Sequence, residues 1–212
     1  ELINKVTKAN PNTILLISSG TAISLKNIVQ KPKALLNIWI SGQGEAQAIS
    51  DILFGKVNPS GKTPVTFFAN EKQLPPMDDY NVRNGRSYQY FKGEVLFPFG
   101  YGLSYTSYKY SAPKVNKTHF AGNDSICVTT QISNNGQYDG EEVVQCYVLV
   151  DFKRIFIKKG ETKSVNFNIS KNDLLRWDSN NKGWRTTANK YKVSVVAHSA
   201  MDNSSTFSYN KK

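Results

Sequence analysis

From Tyr108 onward the chain alternates apolar and polar residues. The runs are YKYSAP, SICVTTQI, EEVVQCYVLV, FKRIFI, TKSVNFNI and YKVSVVAH, with a weaker one at STFSYN. A period of two gives each strand one face for a core and one for water. Asn134-Asn135-Gly136, Asp139-Gly140, Lys159-Gly160 and Asn180-Asn181 fall between runs and supply turn chemistry. Six or seven such strands in about a hundred residues predict an all-β sandwich of immunoglobulin or fibronectin III type over residues 107–212.

Residues 1–70 follow a different pattern. A helix over 1–9 stops at Asn10-Pro11, because proline disfavours helix at the residue before it. TILLIS (13–18) and ALLNIWI (34–40) are short apolar runs that read as strands buried on both faces. Ser24–Val29 reads as a short helix between them. Apolar residues at 46, 48, 49, 52 and 53 mark a helical stripe over Gly44–Phe54, which Gly55 caps. TPVTFF (63–68) is a third strand, with Pro64 near its start, where a missing N–H is tolerated. This alternation predicts a parallel sheet with flanking helices, hence an α/β class for 1–70. Three strands leave an open edge, so complementary strands are expected from elsewhere. ELINKVTKA begins without Met and reads as the middle of a helix, so the chain is expected to be a fragment.

Residues 71–106 form a connector that an ordinary polar linker would not match. It carries Tyr80, Tyr88, Tyr90, Phe91, Phe97, Phe99, Tyr101 and Tyr105, and is expected to pack against the flanking domains.

The formal net charge of +11 raises nucleic-acid binding as a possibility. The basic surplus is spread over both halves with no arginine-rich run, which points instead to a solvated basic surface and to no nucleic-acid partner. No apolar run reaches the ~20 residues of a membrane helix. Cys127 falls on the opposite phase to Ile126, Val128 and Ile132, whereas Cys146 shares the inward phase of Val144 and Val148. Opposite faces disfavour a disulfide between them. His119 and His198 have no cysteine partner at zinc-site spacing, so no metal and no cofactor are expected.

Candidate chemical groups have structural explanations. Glu45 opens a helix, where a negative charge suits the macrodipole. Asp78 and Asp79 follow Pro75-Pro76 in a turn. Glu141 and Glu142 follow a turn on a strand and are expected to face solvent or protect an edge. GKVNPSGKT resembles a phosphate loop but has five residues between its glycines, a proline in the cradle, and a helix–turn–strand order. Trp39 is assigned to the core. Trp177 and Trp184 flank the turn in WDSNNKGW and are expected to close one end of the sandwich, with sugar stacking as the alternative. The chain has no G-x-S-x-G elbow and both histidines lie in the expected sandwich, which leaves no support for a serine triad.

Three blocks resemble glycoside hydrolase family 3. The first is NIWISGQGEAQAISDILFGKVNPSGKTPVTF, with Trp39, Gly42-Gln43, Leu53-Phe54-Gly55, Asn58-Pro59-Ser60-Gly61-Lys62 and Pro64-Val65-Thr66 on the family pattern. The second is GRSYQYF followed by LFPFGYGLSYT. The third is SNNGQYDGEEVVQCYV and DFKRIFIKKGETKSVNFNIS. Ser41 stands where the family usually has proline. The family also carries a longer loop where Val148 nearly meets Asp151, and residues are expected to be absent there rather than the loop being short.

The resemblance implies the second half of an α/β sandwich domain followed by a fibronectin III-like domain, from a retaining β-xylosidase or β-glucosidase. Such enzymes place two carboxylates ~5–5.5 Å apart. In the family the nucleophilic Asp lies in an N-terminal barrel and the acid/base Glu lies upstream of the region matched here. The expected catalytic set in this chain is therefore empty, and no substrate-binding residue is assigned. The implied partners are that barrel, the rest of the α/β domain and an oligosaccharide substrate. A periplasmic or secreted location is implied by family habit.

Overall fold

The computed structural model describes residues 1–148, 151–186 and 188–210. It divides into two compact units: Glu1–Val57 with Thr63–Tyr101, and Asn58–Lys62 with Gly102–Lys212.

In the first unit, α1 (Leu2–Ala9) ends as expected at Asn10, whose N–H donates to the Val6 carbonyl. β1 (Ile14–Ile17) and β2 (Ala34–Asn37) pair in parallel, Ile14 opposite Ala34 through Ile17 opposite Asn37. The expectation that these strands are buried on both faces fails. Ile14 and Leu16 are exposed and only Ile17 of β1 is buried. A two-stranded sheet covers one side of each strand at most, and parallel sheets ordinarily have layers on both faces.

Ser24–Val29 is a turn rather than a helix. The Ile28 and Val29 amides both donate to the Leu25 carbonyl, and the Ser24 hydroxyl donates to the Ala69 carbonyl. With both amides closing on one carbonyl and Ser24 tied to Ala69, the segment makes one turn that does not propagate. α2 (Glu45–Leu53) forms as expected. It ends in a Schellman motif: Lys56 N–H bonds Asp51 and Gly55 N–H bonds Ile52, with Gly55 at φ 71°. No residue of α2 is buried, so its apolar stripe is uncovered by the first unit.

The third expected strand shrinks to β3 (Phe67–Phe68), and it pairs antiparallel with β4 (Val95–Phe97) rather than joining β1 and β2. A short 3-10 turn (Glu71–Gln73) and α3 (Ser87–Tyr90) lie between β3 and β4. Aromatic rings knit this region. Phe67 meets Trp39 at 6.0 Å and Phe97 at 5.8 Å, Phe68 meets Phe91 at 4.8 Å, and Tyr88 stacks on Phe99 at 4.4 Å. Tyr80 does not join them and is 87% exposed.

The second unit is the sandwich. Its strands are β5 (Tyr108–Tyr110), β6 (Lys114–Val115), β7 (His119–Ala121), β8 (Ser125–Asn134), β9 (Gly140–Tyr147), β10 (Asp151–Ile157), β11 (Thr162–Ser170), β12 (Leu175–Asp178), β13 (Gly183–Thr186), β14 (Lys190–Val196) and β15 (Ser204–Asn210). One sheet runs β10-β9-β14-β15-β7. The other runs β11-β8-β5, with β6 also on β8, and β12-β13 form a separate hairpin. The inward phases are those of the sequence: Ile126, Val128 and Ile132 of β8 meet Val144 and Cys146 of β9, Phe167 and Ile169 of β11, Val193 and Val195 of β14, and Phe207 of β15. The α/β portion followed by a fibronectin-like sandwich is thus the observed architecture. The Val148–Asp151 junction contains Leu149 and Val150, which lie outside the described residues.

Candidate functional site

The second unit holds a buried polar node built on the segment Asn58–Lys62. The Asn58 side chain donates to the Asp139 carbonyl at 2.9 Å and accepts from the Ser104 hydroxyl at 2.7 Å and the Tyr105 N–H at 2.8 Å. The Lys62 ammonium stands 3.1 Å from Glu142 Oε1 and donates to the Gly102 carbonyl at 3.0 Å. Glu142 Oε1 also accepts from the Val143 N–H at 3.1 Å. The expectation that Glu142 faces solvent is therefore wrong. Glu142 shares the inward phase of Val144 and Cys146, and β9 is an interior strand with no edge to protect. Its neighbour Glu141 alternates outward, where it pairs with Arg154 at 3.3 Å.

Two tyrosines border this node. Burial, and then the Glu142 charge, push the Tyr108 phenol up to about 12 and the Tyr110 phenol further. Gly140 lies under the Tyr108 hydroxyl and Asn58 Nδ2, so closely that a methyl group there would overlap both. Among the described residues Glu142 is the one buried carboxylate, and the Lys62 ammonium holds it. The node is a fastening, and its lysine is already engaged, which disposes of the phosphate-loop resemblance of GKVNPSGKT.

The other candidate carboxylates stay apart from it. Glu45 lies in the first turn of α2. Asp78 is exposed. Asp79 accepts from Asn84 Nδ2 at 2.8 Å and the Asn81 N–H at 2.9 Å, and these bonds hold its carboxyl below the usual range. Among the described residues no group of three His, Cys, Asp or Glu side chains could hold a metal ion. The Cys146 thiol is buried on the core phase and Cys127 lies half-buried on the other, so the face assignment from the sequence holds. Trp39 is half-buried rather than core; it follows β2 with φ 54°.

Trp177 and Trp184 do not close the end of the sandwich. They are 47% and 65% exposed. They face each other across the β12–β13 hairpin, edge to face, with ring centroids 5.8 Å apart. Neither strand was expected from the sequence. The signal lay in Trp177 and Trp184 themselves, symmetric about the Asn180-Asn181 turn, but each strand is only four residues long.

The chain matches two family models. Residues 1–105 match the glycosyl hydrolase family 3 C-terminal domain, and residues 142–199 match the fibronectin type III-like domain. Among curated relatives, the chain is 36% identical over 207 residues to a xylan 1,4-beta-xylosidase of Xylanibacter ruminicola, covering 91% of this chain and 23% of that protein. It is 33% identical to a probable beta-glucosidase I of Aspergillus niger, covering 92% of this chain and 28% of that protein. The crystal structure of a beta-D-glucoside glucohydrolase from Trichoderma reesei superposes on 99% of this chain and 35% of its own, with TM-score 0.88 and 27% identity. The chain thus spans about a quarter of the length of these curated relatives. With both domain models matched in order and the same architecture in a solved enzyme, the chain belongs to glycosyl hydrolase family 3 and carries that family's C-terminal and fibronectin-like domains.

Proposed function

We propose that this chain is the C-terminal part of a retaining β-glycosidase that removes terminal β-linked sugars, xylose or glucose, by double displacement. Its relatives bear beta-xylosidase and beta-glucosidase names, which supports the substrate class. The observation that carries the structural role is the two-stranded β1–β2 sheet with exposed Ile14 and Leu16 beside an α2 that buries nothing. Such a half-layer is a surface made to receive further strands. The partners in this reading are the rest of the α/β domain and an N-terminal barrel that brings the nucleophilic Asp, and the role of the chain is to brace the domain that presents the acid/base Glu. An exported location, periplasmic or secreted, belongs to the same proposal.

The test uses aryl β-xylosides and β-glucosides. The parent protein is expected to hydrolyse them with retention at the anomeric carbon, followed by NMR, and the 212-residue chain is expected to give no turnover. Hydrolysis by the chain alone, or inversion by the parent, overturns the proposal.

A further inference from the structure

The β12–β13 hairpin belongs to neither sheet of the sandwich, yet it is hydrogen-bonded at both root and tip. The Arg176 guanidinium donates to the carbonyls of Asp173, Leu175 and Val148, which fixes its root. At its tip the Asp178 carboxylate accepts from the Asn180 and Asn181 amides and from Asn181 Nδ2. Arg185 stands 3.6 Å from the same carboxylate. This frame presents two indole rings to solvent on one face, next to the Asn180-Asn181 tip, while Arg185 and Asp178 pair on the other.

We propose that the Trp177–Trp184 hairpin is a carbohydrate-stacking subsite that binds pyranose rings of a β-linked oligosaccharide or polysaccharide. The choice of a β-linked sugar rests on the functional reading above; the site itself rests on the hairpin. A pyranose has a flat C–H face and a rim of hydroxyls, and the hairpin offers a pair of indole rings on one face, next to the amide side chains of its Asn180-Asn181 tip. Two indoles exposed to this degree present on the order of 250 Å² of apolar surface. A stable protein interface needs about 800 Å² from each partner, so the patch is too small for a subunit and matches one or two sugar rings. The rings are pre-positioned by a strand pair and a fixed turn, so little order is lost on binding.

The test uses the parent enzyme containing this chain, with wild type, Trp184→Ala, Trp177→Ala and Trp184→Tyr compared. Retention on insoluble xylan and cellulose is measured alongside turnover of a small aryl β-glycoside and the melting temperature. Each alanine variant is expected to weaken retention about tenfold, and Trp184→Tyr is expected to keep most of it. Small-substrate turnover and melting temperature are expected to stay at wild-type values. The subsite is overturned if wild type is not retained, if the alanine variants bind as wild type does, or if they lose stability in step with retention, since the rings then pack against protein. If the parent hydrolyses no aryl β-glycoside but the alanine variants still lose retention, the functional reading fails and the subsite stands.

Discussion

The Lys62 ammonium and the Glu142 carboxylate meet at 3.1 Å with side chains only 11% and 3% exposed, although 80 residues separate them. Such a pair contributes little over two well-packed apolar residues, because both charges lose their hydration. Breaking it is a different matter, since one partner is left charged and buried.

Lys62→Met is therefore expected to destabilise the protein by about 3–5 kcal/mol, read from urea unfolding. Lys62→Met combined with Glu142→Leu should recover most of that loss. A double variant as unstable as the single one would show that the lysine acts through its Gly102 bond instead.

Gly102 and Gly61 offer a paired test of close packing. A Cβ on Gly102 would collide with the Gly61 carbonyl, which is backbone and cannot swing aside, whereas a Cβ on Gly61 meets nothing within 4 Å. Gly102→Ala is expected to cost about 1–3 kcal/mol and Gly61→Ala to be near neutral. Equal melting temperatures for the two variants would contradict the packing described.

Burial, and then the Lys62 charge, hold the His198 imidazole below its ordinary value of 6.5. The folded protein thus binds fewer protons here than the unfolded chain does. Stability from this residue is full above that pH and falls as the solution is acidified through it. His198→Gln is expected to flatten the fall in urea midpoint between about pH 7 and about pH 5. An unchanged slope would remove His198 from the account.

Burial, reinforced by the Asp151 charge, pushes the Cys146 thiol up to about 12. At about pH 8 a folded sample should therefore take up iodoacetamide only at Cys127, and both cysteines should react in urea. Peptide mass spectrometry distinguishes the two cases, and alkylated Cys146 from native protein would contradict the burial.

The sandwich was legible because its strands obey one simple rule, and β8, β9 and β11 each place their inward residues on the expected phase. Glu142 obeys that rule too, yet its place just after a turn suggests a solvent-facing or edge-protecting carboxylate. Its partner lies far upstream, and nothing local to β9 announces Lys62. The same distance effect hid the pairing of Phe67-Phe68 with Val95–Phe97, since a two-residue strand has no period to read. Residues Ser24–Val29 misled in the other direction: their composition suits a helix, but the Ser24 hydroxyl is drawn to Ala69. Trp177 and Trp184, flanking a turn, suggest a lid on one end of the sandwich, and it is their exposure on a separate hairpin that overturns this.

Residues Asn58–Lys62 lie in the second unit while both flanking segments lie in the first, so the polypeptide crosses between units at three places. Shuffling by simple end-to-end fusion would fail here. A sandwich excised at Gly102 leaves behind the five residues that neutralise Glu142 and satisfy Asp139, and no single proteolytic cut releases either unit intact. Recombination that transplants this module must carry both stretches together, which ties the inheritance of the fibronectin-like portion to that of the α/β layer.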